Sequence, residues 1–130
     1  MRYLTEEELI LMNNVLIKRY SPHEIVGVIS PDLLNSAVNR PQQSLFGEDA
    51  YKTIFEKAAA LFESLAQNHA FHSANKRVAF TGMVQFLRYN NYKFVMLSQE
   101  AEDFTIAVVE HKHTFKDIAE IIKANSKPVL

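Results

Sequence analysis

The run Asn68-His69-Ala70-Phe71-His72-Ser73-Ala74-Asn75-Lys76-Arg77 gathers two imidazoles, two carboxamides, a hydroxyl and two cations in one short stretch. An imidazole such as His69 can take a proton from a hydroxyl near neutral pH. A helix beginning at Ala74 would present unpaired backbone N–H groups and the positive end of its dipole, which together form a seat for an anion. Lys76 and Arg77 would then lie in a first helical turn, where cations are normally unfavourable, and a phosphate held between them would remove that cost. The chemistry this suggests is phosphate binding next to a base, with Phe71 anchoring the loop in the core. Plainer readings stand beside it: a structural histidine, a solvated Lys-Arg pair, and Ser73 as a simple helix N-cap. His69 and His72 suggest a metal pair, but the loop has no Cys or carboxylate to complete a structural zinc site. His111 and His113 cannot share a helical face at their spacing and belong to a loop before Thr114, while His23 carries no signal.

The elements that must position this loop read mostly as helices. Thr5 with Glu8 fits a capping box, and Leu9, Met12 and Leu16 mark one face of a first helix that Ser21-Pro22 ends. Ser30-Pro31 opens a short helix that Arg40-Pro41 stops near Asn39, with a loop to follow. From Asp49 to about Asn68, Ile54, Ala58, Leu61 and Leu65 form an apolar stripe and Lys52, Glu56, Lys57 and Glu63 a water-facing one, as in a long amphipathic helix. From Ala74 to Tyr89 apolar residues surround most of the axis, which predicts a buried central helix. Asn90-Asn91 breaks it, Tyr92 to Leu97 reads as extended or a short strand, and Ser98 and Thr114 read as N-caps of two closing helices. Residues 126–130 read as a frayed tail.

Composition narrows the partners. The 130 residues carry 14 Lys and Arg against 15 Asp and Glu, a net charge of -1, so no broad cationic face for direct nucleic-acid binding is expected. Any phosphate must meet a local site. The chain has no Cys and only three Gly, which excludes disulfides, a thiol nucleophile and a glycine-rich phosphate loop. No apolar run approaches the ~18 residues of a membrane span, and the N-terminus turns acidic before a signal-peptide core could form. One cytoplasmic domain over residues 1–130, with no membrane partner, is the expectation.

The segment His69-Ala70-Phe71-His72-Ser73-Ala74-Asn75-Lys76-Arg77 resembles the loop motif of the Fic superfamily in the form found in death-on-curing toxins, His-x-Phe-x-Asp-Ala-Asn-Lys-Arg. Tyr3-Leu4-Thr5, the stretch from Leu33 to Gln42, Phe46 to Tyr51, and Lys57 to Ala60 are similar to other segments of that family, so the resemblance covers nearly the whole chain. It implies an all-α, single-domain helical bundle whose buried central helix starts at the active-site loop. It also implies a toxin of a toxin–antitoxin pair, transferring the terminal phosphate of ATP or another nucleoside triphosphate to a threonine of elongation factor Tu and so arresting translation.

On this resemblance His69 would be the catalytic base, Asn75 would orient phosphate, and Lys76 and Arg77 would neutralise it at the site that begins with Ala74. Lys76 occupies the second Gly position of the broader superfamily's motif and Phe80 its final Arg position, which favours terminal-phosphate transfer over the adenylyl (AMP) transfer common there. Ser73 stands where the family places the acidic ligand of Mg2+, and a neutral hydroxyl is a much weaker ligand for that cation. A catalytically impaired protein that keeps target or antitoxin binding is therefore the other alternative. Arg40, Pro41, Gln42, Phe46 and Gly47 fall in the family's flap, expected to dock the target as an added strand. The expected partner is an antitoxin of the prevents-host-death type, whose disordered tail folds into an apolar groove.

Overall fold

A computed structural model describes residues 1–129, and among them six α-helices dominate. Helix α1 (Glu6–Tyr20) starts at the Thr5 capping box, closed by Glu8 as its spacing predicts. Helix α2 (Pro31–Asn39) is capped by Ser30 with Pro31 at its first position, and a single 3-10 turn, Arg40–Gln42, ends it. The stretch expected to be a loop carries a small hairpin, β1 (Ser44–Leu45) antiparallel to β2 (Glu48–Asp49). Helix α3 (Ile54–Asn68) begins at the Thr53 cap, later than Asp49, because the residues before it belong to the hairpin and its return. After the loop come α4 (Asn75–Tyr89), β3 (Tyr92–Phe94), α5 (Ser98–Val109), α6 (Phe115–Ala124) and β4 (Ser126–Pro128). Thr114 caps α6 in a capping box with Asp117, whereas Leu97, not Ser98, is the N-cap position of α5 and makes no side-chain cap.

The buried face of α1 is Leu9, Asn13 and Ile17, with Met12 and Leu16 only half-buried. Helix α4 buries Val78, Ala79, Met83, Phe86 and Leu87, as its all-round apolar pattern predicts. Gly82 lies where α1 and α3 meet α4: a Cβ there would stand 3.2 Å from Leu9 Cδ2 and 3.4 Å from Leu65 Cδ1. Helix α3 is more central than its amphipathic pattern suggests. It touches α2, α4, α5 and α6, and buries Ala58, Ala59, Ala60, Leu61, Phe62, Leu65 and Ala66.

Three further expectations change. Lys57, read as water-facing, is buried, because its ammonium reaches Asp49 Oδ2 at 3.2 Å and the Pro41 carbonyl at 3.3 Å. Glu63, also read as water-facing, is half-buried against Arg40 at 2.8 Å. The chain end expected to fray is instead strand β4, paired antiparallel with β3 through Tyr92↔Pro128, Lys93↔Lys127 and Phe94↔Ser126. Leu130 lies outside the described residues.

Candidate functional site

The loop between α3 and α4 is shaped by backbone. His69 ends α3 in the left-handed region (φ 51°), which turns the chain out of the helix. Ala70 to His72 then run alongside the segment before α2. The Ile29 and Ser30 N–H groups donate to the Ala70 carbonyl at 2.8 and 3.1 Å, His72 N–H donates to the Gly27 carbonyl at 3.0 Å, and Val28 bridges Phe71. Phe71, 2% exposed, lies in the hydrophobic core.

Ser73 does not cap α4. The N-cap is Ala74, left-handed at φ 64° and without a side-chain cap, because the chain turns one residue later than the Ser73 reading requires. Asn75 uses both ends of its carboxamide on Phe71: Oδ1 accepts from the Phe71 N–H at 3.0 Å and Nδ2 donates to the Phe71 carbonyl at 2.9 Å. Its side chain is thus committed to the loop's shape rather than pointing free at a ligand. The helix's first turn bond runs from Val78 N–H to the Ala74 carbonyl, so the N–H groups of Asn75, Lys76 and Arg77 precede the intrahelical ladder.

Lys76 and Arg77 are exposed at that end. Arg77 donates to Ser21 Oγ at 3.0 Å and lies over the Tyr20 ring at 5.4 Å from its centroid, so the end of α1 aims its guanidinium. Both cations open on a groove of about 570 Å³ that also takes in Leu16, Tyr20, Phe80 and Thr81 on one side and Glu102 and Thr105 of α5 on the other. The exposed His69 is not part of that groove's lining, so the cations, and not the imidazole, connect the loop to it. A shallower apolar continuation runs along Leu11, Met12, Val15 and Leu16 of α1 to Gln85 and Tyr89 of α4.

The loop's side-chain oxygens are the neutral Ser73 hydroxyl and the carboxamides of Asn68 and Asn75, the latter taken up by the Phe71 N–H, and it has no carboxylate. It does not fit a magnesium ion held by protein side chains, and among the described residues no group of three His, Asp or Glu is placed to hold a metal.

The hairpin divides the expected docking residues. Gln42, Phe46 and Gly47 are exposed, and Phe46 is 98% exposed at the tip. Phe46 (φ 54°) and Gly47 (φ 81°) are the two central residues of a turn with both φ positive, the geometry that matches the twist of a tight hairpin. Arg40 and Pro41 are held inward instead. Arg40 donates to the Tyr51 hydroxyl at 2.9 Å, Glu63 Oε1 at 2.8 Å and Ser64 Oγ at 3.0 Å, and Pro41 is buried. Burial works against the Arg40 charge, but Tyr51 and Glu63 outweigh it and hold the guanidinium above its ordinary pKa. Sequence reasoning missed Asn13, a fully buried side chain on α1 that reaches both loops of the site.

A family model, that of the Fic/DOC family, matches residues 3–87, which include the hairpin, the loop and most of α4. The chain is 45% identical over 74 residues to the toxin Doc of Mycolicibacterium smegmatis, a match that spans 57% of this chain and about half of that relative (52%). It is 28% identical over 123 residues to the protein kinase doc of Escherichia phage P1, covering 95% of this chain and 94% of that one. No helix among the described residues is long and apolar enough to cross a membrane.

Proposed function

The chain belongs to the Fic/DOC family, and from that premise we propose that it is the toxin of a toxin–antitoxin pair that phosphorylates a hydroxyl of a translation factor. The observation that carries this reading is the pairing of a left-handed His69 at the end of α3 with Lys76 and Arg77 in the first turn of α4, on a loop fixed from both sides. One relative is named a toxin and the other a protein kinase.

In the proposed reaction the His69 imidazole takes the proton of the target hydroxyl, and the hydroxyl oxygen attacks the terminal phosphorus of ATP. The bond from that phosphorus to the bridging oxygen breaks, and the nucleoside diphosphate leaves with the electron pair. Lys76, Arg77 and the N–H groups at the start of α4 offset the charge on the phosphoryl oxygens, and positioning of this kind carries most of a phosphoryl transfer. The loop has no carboxylate for magnesium, so any magnesium would come with the nucleotide and not be held by this chain's side chains. Elongation factor Tu is the proposed target, brought to the loop by the exposed tip of the β1–β2 hairpin. The apolar continuation along Leu11, Met12, Val15 and Leu16 is the proposed seat of an antitoxin helix, since two of these residues are exposed and all share one side of α1.

Ser73 favours a second reading, a binding protein that retains antitoxin and target contacts without transfer. Induced expression in a bacterial host tests both: growth arrest that co-expressed antitoxin relieves and that His69→Ala abolishes supports the transferase. Arrest that persists in His69→Ala supports the binding reading.

A further inference from the structure

Asn13 is fully buried in α1, yet both ends of its carboxamide are used on loops distant in sequence. Its Oδ1 accepts from the Gly27 N–H at 3.0 Å, and its Nδ2 donates to the Ser73 carbonyl at 2.9 Å. The second bond fixes the direction of one peptide group. In a trans peptide the C=O and the following N–H point opposite ways, and among the described residues no peptide bond is cis. With the Ser73 carbonyl turned in to Asn13, the Ala74 N–H faces away from it, immediately before the three first-turn N–H groups of α4. Ala74 holds a left-handed conformation (φ 64°) that L-residues adopt at a cost, so this orientation has to be imposed by its surroundings.

We propose that Asn13 is a positioning residue for phosphate recognition: by holding the Ser73 carbonyl inward it turns the Ala74 N–H outward, adding a donor to the anion seat at the start of α4. The inference rests on the phosphate-binding reading of the loop. Asn13 touches no substrate and acts through the Ser73–Ala74 peptide. The paired bond to Gly27 keeps the carboxamide from rotating, so the donor end, not the acceptor end, meets Ser73. A carboxylate at position 13 would keep the Gly27 contact and repel the Ser73 carbonyl, which turns the peptide over and draws the Ala74 N–H inward.

The test uses inorganic tripolyphosphate as the probe, with the whole chain as parent, Asn13→Asp, the near-isosteric Asn13→Leu, and Ile17→Val as a core change in the same helix. Backbone amide resonances and calorimetric affinity are recorded at a temperature where each protein is folded. In the parent, the Ala74 amide should exchange quickly with solvent and shift on adding tripolyphosphate. Both Asn13 variants should bind about tenfold or more weakly, the loss of one hydrogen bond to a charged group, and Ile17→Val should stay near the parent. In Asn13→Asp the Ala74 amide should become protected. A parental Ala74 amide that is protected or unmoved by tripolyphosphate overturns the inference without any variant. Parental affinity in the Asn13 variants, or an equal loss in Ile17→Val, overturns it too. A parent that binds no tripolyphosphate contradicts the proposed phosphate site itself, and Ala74 exchange in parent and Asn13→Asp then still decides whether Asn13 sets the peptide.

Discussion

Asn75 holds the Phe71 backbone on both sides of its Cα, accepting from its N–H at 3.0 Å and donating to its carbonyl at 2.9 Å. The first residue of α4 is thereby tied back to the residue that anchors the loop in the core, and the turn carrying Ser73 and Ala74 is closed into a ring. Asn75→Asp keeps the acceptor and replaces the donor by a group that repels the Phe71 carbonyl. It should cost about 1–3 kcal/mol in urea unfolding with an unchanged slope. A midpoint equal to the parent's would mean that the ring does not hold the loop.

Arg40 has four oxygen neighbours, counting the Ala60 carbonyl at 3.4 Å, and it ties the end of α2 to α3 and to Tyr51. Its side chain is 24% exposed, so Arg40→Ala should fall at or below the low end of the cost of breaking a buried pair, about 2–3 kcal/mol. Arg40→Lys should recover only part, because an ammonium cannot span Tyr51, Glu63 and Ser64 together. Thermal unfolding of the three proteins checks the order; full recovery by Lys would show that charge alone matters.

Phe46 adopts a left-handed conformation that an asparagine takes more readily, at a strain of about 1 kcal/mol. Its ring gains nothing from packing within the chain. Phe46→Asn should therefore slow hydrogen exchange of the Ala50 amide, whose bond to the Gln43 carbonyl closes the hairpin base at 2.8 Å, while weakening transfer to the target and sparing nucleotide binding. Unchanged transfer would mean that the tip does not meet the target.

Glu8 accepts a hydrogen bond from the Tyr89 hydroxyl and lies 3.8 Å from Arg2, which stacks on the Tyr89 ring. Burial opposes ionisation of Glu8, but the bonds from Tyr89 and Thr5 and the Arg2 charge outweigh it, so its pKa is lowered, while the bond to Glu8 raises that of Tyr89. A lowered carboxyl pKa gives stability that is present above the unfolded value and is lost as pH falls through the folded one. A raised tyrosine pKa gives stability that is lost as pH rises through its folded value. Melting temperatures of parent and Tyr89→Phe should differ near neutrality and converge in acid; a constant gap across that range would contradict the pair's role.

How much of this could be read from the sequence followed the distance over which each interaction acts. The capping box of Thr5 with Glu8 and the Thr114 N-cap were legible because a cap is settled within one turn. The loop was legible because the histidine, the cations and the phenylalanine that define it are close together in the chain. Lys57 was not, since helical period puts it on the charged face and only the folded hairpin brings Asp49 and the Pro41 carbonyl to it. Strand β4 pairs with residues more than thirty positions earlier, and nothing local in Ser126–Pro128 announces a strand. Asn13 was hidden for the same reason: its partners are 14 and 60 residues away. The left-handed Ala74 has no glycine or asparagine to signal it.

The most direct measurement of the central claim is transfer of label from ATP to purified elongation factor Tu, with the label on the terminal phosphate in one reaction and on the alpha phosphate in another. The account predicts that only the terminal label appears on the protein target, and that His69→Ala lowers its rate by about 10²- to 10⁴-fold while the variant stays folded. Transfer of the alpha label would identify a nucleotidyl transferase instead, and transfer of neither label to the target would contradict the phosphotransferase account.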